Sequence, residues 1–178
     1  WPWFEIFGWW KMGCIVEGVH ARRSKGQSAG APSGPLETIA ARLEFRGKDE
    51  GYARLSQAYF PRLPLHNARR ILALGCGTGV EVRALRRLTG PDAIIIGVDQ
   101  SPALIDAARR LTADEGLSDA VTYEVRDAHH TRYGDEEFDI VILHTLISHV
   151  DDPLQVLREA RRVVRPSVSR SKACLAPT

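Results

Sequence analysis

Cysteine and methionine are scarce in this chain, and their scarcity narrows the options. Cys14, Cys76 and Cys174 are odd in number and far apart. That spacing supports neither a disulfide framework nor a zinc site, and it fits a reducing, cytoplasmic setting. An excess of one charge is lacking too, since 24 Lys and Arg against 22 Asp and Glu leave a formal net charge of +2. The basic residues are scattered, several as Arg-Arg pairs beside acids, so no stripe marks a nucleic-acid surface. Nor is there an apolar run long enough for a membrane helix. The aromatic opening WPWFEIFGWWKMGCIVEGVH is broken by Glu5 and Lys11, and it has no basic leader or small-residue cleavage site. The single methionine, Met12, raises the expectation that residues 1–11 lie outside the functional protein. MGCIVE fails as a myristoylation signal because Glu17 stands where Ser or Thr is required. Neither a nucleic acid nor a membrane is expected as a partner.

What is present begins after a small, polar, Pro/Gly-rich stretch over 23–35, RSKGQSAGAPSGP, which reads as a flexible linker. The 178 residues suffice for one core of ordinary size. Leu36, Ile39, Ala40 and Leu43 fall at helical spacing. Tyr52, Leu55 and Tyr59 continue a second helical pattern up to Pro61, and these two helices are expected to form a lid. Strands and helices then alternate. Ile71–Leu74 reads as a strand and Val80–Leu88 as a helix with Val80, Val82, Leu85 and Leu88 inward. AIIIGV is a fully buried strand ending at Asp99. Ser101-Pro102 opens a helix facing inward through Leu104, Ala107, Ala108 and Leu111. VTYEV and FDIVILHT are two further strands, and Asp152-Pro153 starts a helix with Leu154, Leu157, Ala160 and Val164 inward. Without tight hairpin signals, this order predicts an α/β fold: a Rossmann-like, doubly wound parallel sheet with helices on both faces. The expected divisions are an extension and linker over 1–35, a helical lid over 36–68, a core over 69–166 and an atypical tail over 167–178.

The glycine loop ILALGCGTGV carries the chemistry. A P-loop needs Gly-Lys-Ser or Gly-Lys-Thr, but Val80 and Glu81 follow Gly79. A dinucleotide fingerprint needs a third glycine where Val80 stands, which disfavours a nicotinamide oxidoreductase. What remains is G-x-G-x-G at a helix start, where free N–H groups and the helix dipole favour a carboxylate as well as a phosphate. Asp99, at the next strand end, is placed to accept from a ribose diol. Together these features describe a nucleoside carrying an amino-acid tail.

Over residues 36–166 the chain resembles the class I S-adenosylmethionine-dependent methyltransferases of the small-molecule type. ILALGCGTG is similar to that family's first motif, GVDQSPALIDAARR to its second, VRDA to its third, and FDIVILHTLISHVDDPLQVLREARRVVRP to its fourth strand and following helix. The resemblance implies S-adenosyl-L-methionine as cofactor and a small-molecule acceptor. It implies that Gly75, Cys76, Gly77 and Gly79 line the methionine moiety and that Asp99 holds the ribose hydroxyls. It also implies that Gln100 lies along the adenine, that Asp127 accepts from the adenine amino group with Ala128 beside it, and that His144 borders the cofactor.

Two departures stand out. Ala73 occupies a position where the family usually carries an acid that interacts with the cofactor's amino group. After VVRP the family continues into further strands and a helix, whereas SVSRSKACLAPT contains no strand of suitable length. The expectation is a C-terminally truncated sheet whose fourth strand, Ile140 to Leu143, is an exposed edge able to self-associate. His149 is the candidate base, since histidine titrates near neutral pH. His129-His130 makes a poor metal site, because adjacent residues do not easily share one ion and no third ligand is at hand. Three readings remain open: a small-molecule methyltransferase, a non-catalytic remnant or partner-binding module on the same fold, and the disfavoured oxidoreductase.

Overall fold

The structure is a computed structural model that describes residues 36–48, 50 and 60–166. The expectations for the extension and linker, the lid tyrosines Tyr52 and Tyr59 and the tail lie outside the described residues. The elements run α1 (Leu36–Gly47), a 3-10 turn Phe60–Arg62, β1 (Arg70–Leu74), α2 (Val80–Arg86), β2 (Ile94–Asp99), α3 (Pro102–Asp114), β3 (Val121–Val125), β4 (Ile140–Leu143), a 3-10 turn Leu146–Ser148 and α4 (Pro153–Val163).

The four strands are parallel, in the order β3-β2-β1-β4. Every parallel connection must cross a face of the sheet, so helices cover both faces. On one face Val82 and Leu85 of α2 and Ile105 and Ala108 of α3 pack with Ile71, Ala73, Ile95, Tyr123, Ile140 and Ile142. On the other, Ala160 and Val163 of α4 pack with Leu72, Leu74, Ile96, Val98 and Phe138. Each Val, Leu, Ile or Phe side chain among these, taken fully from water, contributes about 1.5–3 kcal/mol. The chain leaves β1 toward β2 and β3 and then returns to β1's other side as β4. The resulting switch point, between β1 and β4 at their carboxyl ends, is where ligands bind in open sheets of this kind.

Local signals set the helix starts. Ser101 caps α3, its Oγ accepting from the Leu104 N–H at 3.4 Å, with Pro102 in the first turn. Asp152 caps α4 through the Gln155 N–H at 3.0 Å, with Pro153 following. The inward faces differ from those expected. α3 buries Ile105, Ala107, Ala108 and Thr112, while Leu104 and Leu111 are only half-buried. α4 buries Val156, Glu159, Ala160 and Val163, and Leu154 is 63% exposed. Counting apolar residues misses such faces, because Thr112 and Glu159 enter the core with their polar atoms satisfied. Thr112 Oγ1 pairs with Tyr123 Oη at 2.8 Å, and Glu159 Oε1 accepts from the Thr131 N–H and Oγ1 at 2.9 and 2.6 Å.

Among the described residues β4 pairs with β1 alone, so its outer backbone is an edge. Its side chains are not left in water, however. Ile140 and Ile142 are buried in one core, and Val141 and Leu143 pack half-buried against the other. The long connection before β4 explains this coverage. It is tied down by Arg162 Nη1 on the Tyr133 carbonyl at 2.9 Å and by the Asp139 carboxylate on the Arg69 and Arg70 amides at 2.8 and 2.9 Å.

Candidate functional site

A cavity of about 590 Å³ opens at the carboxyl ends of the strands, within the size range of cofactor and small-molecule sites. The loop after β1 forms its floor with Gly75, Cys76, Gly77 and Thr78. Gly75 and Gly77 have φ of +65° and +54°, in the left-handed region that side chains avoid. A Cβ at Gly75 would lie 2.5 Å from Leu146 Cδ1, and one at Gly77 would lie 3.0 Å from Leu43 Cδ1. These glycines therefore let α1 and the turn after β4 close on the loop from two sides.

Asp99, at the end of β2, ties the loop to the next motif. One carboxylate oxygen accepts from the Gly77 N–H at 3.0 Å and the other from the Ser101 N–H at 2.9 Å. A carboxylate has about four acceptor positions, so two remain for hydroxyl donors. Gln100, Ser101 and Leu104 continue this wall. After β3 come Arg126, Asp127, Ala128 and His129. Oδ1 of Asp127 accepts from the His129 N–H at 2.9 Å and meets His129 Nδ1 at 2.7 Å. The His129 amide, opposed by partial burial and helped by the ring, holds the Asp127 carboxyl below its ordinary value, so it stays an acceptor. His144, Thr145, Leu146, His149 and Val150 follow β4. His144 Nε2 faces Glu81 Oε1 at 3.5 Å, both side chains 12% exposed, while His149 is exposed at the end of the 3-10 turn.

The structure thus brings Gly75, Cys76, Gly77, Asp99, Gln100, Asp127, Ala128, His144 and His149 to one cavity wall. Gly79 is the exception and corrects the expectation for it. It is the left-handed cap of α2, and a Cβ there would meet Tyr123 Oη at 2.3 Å, so it faces the core. Ala73 also lies behind the wall, 3% exposed within the core. Burial, and then the charges of Asp99 and Glu81, push the Cys76 thiol well above its ordinary value, so it stays protonated and is no nucleophile.

Ile39, Arg42, Leu43 and Arg46 line the cavity from α1, which falls within the span expected to form a lid, but sequence reasoning named none of them as a site residue, nor Glu81 or Arg126. The i, i+3, i+4, i+7 spacing of the four α1 residues marks one helix face. Nothing local to α1 says that this face lies over the loop.

The site's acceptors suit an adenosyl amino acid. Carboxylates wait at two strand ends, a glycine-lined floor admits close backbone approach, and Leu104 and Ala128 add apolar lining.

Comparison with known proteins agrees with this geometry. The family described as "Methyltransferase domain" matches residues 72–169. Methyltransferase GfsG of Streptomyces halstedii is 34% identical over 117 residues, covering 66% of this chain and 41% of the relative. The 27-O-demethylrifamycin SV methyltransferase of Amycolatopsis mediterranei is 32% identical over 118 residues, covering 66% and 43%. The chain spans less than half the length of these curated relatives. Among solved structures, the (4+2)-cyclase SpnF matches with a TM-score of 0.59 and 27% identity over 67% of this chain and 44% of its own. CrArsM, an arsenic(III) S-adenosylmethionine methyltransferase from Chlamydomonas reinhardtii, matches with a TM-score of 0.53 and 27% identity over 58% and 37%. A family match over more than half of the chain, on a parallel sheet with its cavity at the strand ends, makes this chain a member of the methyltransferase-domain family, with the Rossmann-like fold of S-adenosylmethionine-dependent enzymes.

Proposed function

We propose that the cavity binds S-adenosylmethionine and that the chain carries the cofactor-binding core of a methyltransferase acting on a small-molecule acceptor. The observation that carries this reading is the convergence of the glycine floor, Asp99 and Asp127 on one cavity of about 590 Å³ at the switch point. Gly75 and Gly77 would hold the methionine portion, Asp99 the ribose, and Gln100, Asp127 and Ala128 the adenine. When bound, the cofactor supplies an electrophilic methyl group on a sulfonium, which needs no further activation.

The protein's own contribution is therefore orientation and exclusion of water, and orientation is worth up to about 7–11 kcal/mol in favourable cases. Ile39 and Leu43 of α1 and Leu146 and Val150 after β4 supply apolar wall against which the acceptor would rest. His149 borders it and is the candidate to accept the acceptor's proton. The rifamycin-modifying relative has a small-molecule acceptor by its name, which supports the acceptor class.

The SpnF match is a reminder that this fold carries other chemistry, so transfer itself must be measured. The test is incubation with cofactor labelled in its methyl group and a panel of phenols, quinols and sugar hydroxyls. The expected result is label in an acceptor, reduced at least tenfold by His149→Ala. Cofactor binding without transfer to any member would favour the non-catalytic reading of the same fold.

A further inference from the structure

Outside the cavity wall, Arg83 in the last turn of α2 is a fully engaged charged group. It is 3% exposed. Its three guanidinium nitrogens each have a different acceptor. Nη1 donates to the Thr78 carbonyl at 2.6 Å, Nη2 to Glu44 Oε2 at 2.7 Å, and Nε pairs with Glu115 Oε1 at 2.9 Å. These acceptors belong to three separate parts of the molecule: the glycine loop, α1, and the end of α3. Glu115 is fixed in turn by Arg87. The planar fork of arginine can serve all three at once, which a lysine cannot.

The position of α1 gives this arrangement its consequence. The helix lines the cavity through Ile39, Arg42, Leu43 and Arg46, so it forms the cavity's outer wall. It also rests directly on the loop, since a Cβ at Gly77 would touch Leu43, and one at Gly47 would sit 2.6 Å from Val80 Cγ1. Its charged attachment to the body below is Glu44, one residue from Leu43 and 23% exposed on its side chain. The other oxygen of that carboxylate, Oε1, is buried without a hydrogen-bond partner, so Glu44 itself is held through Arg83, while Arg46 Nη2 of the same helix adds a longer contact to Thr145 Oγ1 at 3.5 Å.

We propose that Arg83 is a positioning residue that couples the docking of α1 to the glycine loop, so that a ligand on the loop and α1 in its closed position stabilise one another. The proposal rests on the cofactor reading of the cavity given above. Arg83 touches no ligand. It acts through Thr78, whose carbonyl it fixes beneath the cavity floor, and through Glu44, which it holds against the body. Coupling of this kind is reciprocal: whatever loosens α1 weakens ligand binding by the factor that ligand binding steadies α1.

The test is hydrogen exchange of the α1 amides, read by mass spectrometry, with and without S-adenosylhomocysteine at saturation, together with its calorimetric affinity. In the wild-type chain the ligand should slow exchange over residues 40–47 at least tenfold. Glu44→Ala keeps a strong helix former at that position, so α1 itself is not weakened. That variant should bind five- to tenfold more weakly, and saturating ligand should slow α1 exchange less than threefold. Arg83→Lys, which keeps the charge and loses the fork, should fall between the two. A plain packing role for the ion pair would change stability but leave the ratio of bound to free exchange intact. Wild-type affinity and a wild-type exchange ratio in Glu44→Ala would overturn the proposal while the cofactor reading stood. No binding by the folded wild type would remove the cofactor reading and the proposal with it.

Discussion

Gly79→Ala separates packing from ligand contact within one loop. Gly79 caps α2 at φ +82°, and an added Cβ would lie 2.3 Å from Tyr123 Oη and 2.9 Å from its Cζ. Holding a non-glycine residue in the left-handed region costs about 1–2 kcal/mol. Pushing the Tyr123 hydroxyl off Thr112 Oγ1, its partner at 2.8 Å, leaves buried polar groups unpaired, which costs about 1–3 kcal/mol. The expected loss is about 2–5 kcal/mol, a large share of the roughly 5–15 kcal/mol available to a domain. Urea denaturation followed by circular dichroism measures it as a lower midpoint at unchanged slope. In a Tyr123→Phe background the cost should shrink by at least about 0.5 kcal/mol, because the nearest clashing atom is gone. Affinity of the folded fraction for S-adenosylhomocysteine should stay within about twofold of wild type, well below 1 kcal/mol. A Gly79→Ala protein of wild-type stability that binds ten times more weakly would refute this reasoning and return Gly79 to the cavity wall.

Gly75→Ala should behave in the opposite way. Its Cβ meets Leu146, which lines the cavity, so calorimetry should read at least a tenfold weaker affinity for S-adenosylhomocysteine, beyond any loss of stability. Glu159 governs behaviour in acid. Its hydrogen bonds from Arg162, with those from Thr131, lower the carboxyl from 4.5 to about 2. A depressed folded value means that this stabilisation is complete above about pH 4.5 and is lost as the pH falls toward 2. It amounts to about 3 kcal/mol for this buried carboxylate, and Glu159→Gln should flatten the urea midpoint over that interval. Cys76, buried and protonated, should be alkylated by iodoacetamide at pH 8 more than tenfold slower than free glutathione, as read by peptide mapping, and slower still with S-adenosylhomocysteine bound.

Much of the core was legible because its signals are local. Ser101-Pro102 and Asp152-Pro153 start helices through caps that reach only three residues ahead. The glycine loop and Asp99 lie at strand ends, where the sheet's topology brings them together whatever the details of packing. The failures share a different cause. Gly79 sits in the same motif as Gly75 and Gly77, yet Tyr123 of β3 decides which way it faces. Leu154 is exposed because it lies opposite the face that Val156, Ala160 and Val163 bury, and Glu159 joins that face once Arg162 and Thr131 satisfy its charge. The cavity's α1 wall and the Arg83 contacts depend on one helix crossing a loop more than 30 residues away, and no spacing rule encodes that crossing. The side chains of β4 are apolar on both faces, and only the structure shows that the loop before β4 and α4 cover the face away from α2 and α3.

Calorimetric titration of the chain with S-adenosylhomocysteine, beside Asp99→Ala, decides whether the cavity holds the cofactor. Asp99 accepts from the loop amide of Gly77 and is placed for the ribose diol, so its removal strikes the proposed site at its centre. The expected result is saturable one-to-one binding that falls at least a hundredfold in Asp99→Ala while its circular dichroism stays that of the wild type. No binding by the folded wild-type chain, or equal binding by the variant, would contradict it.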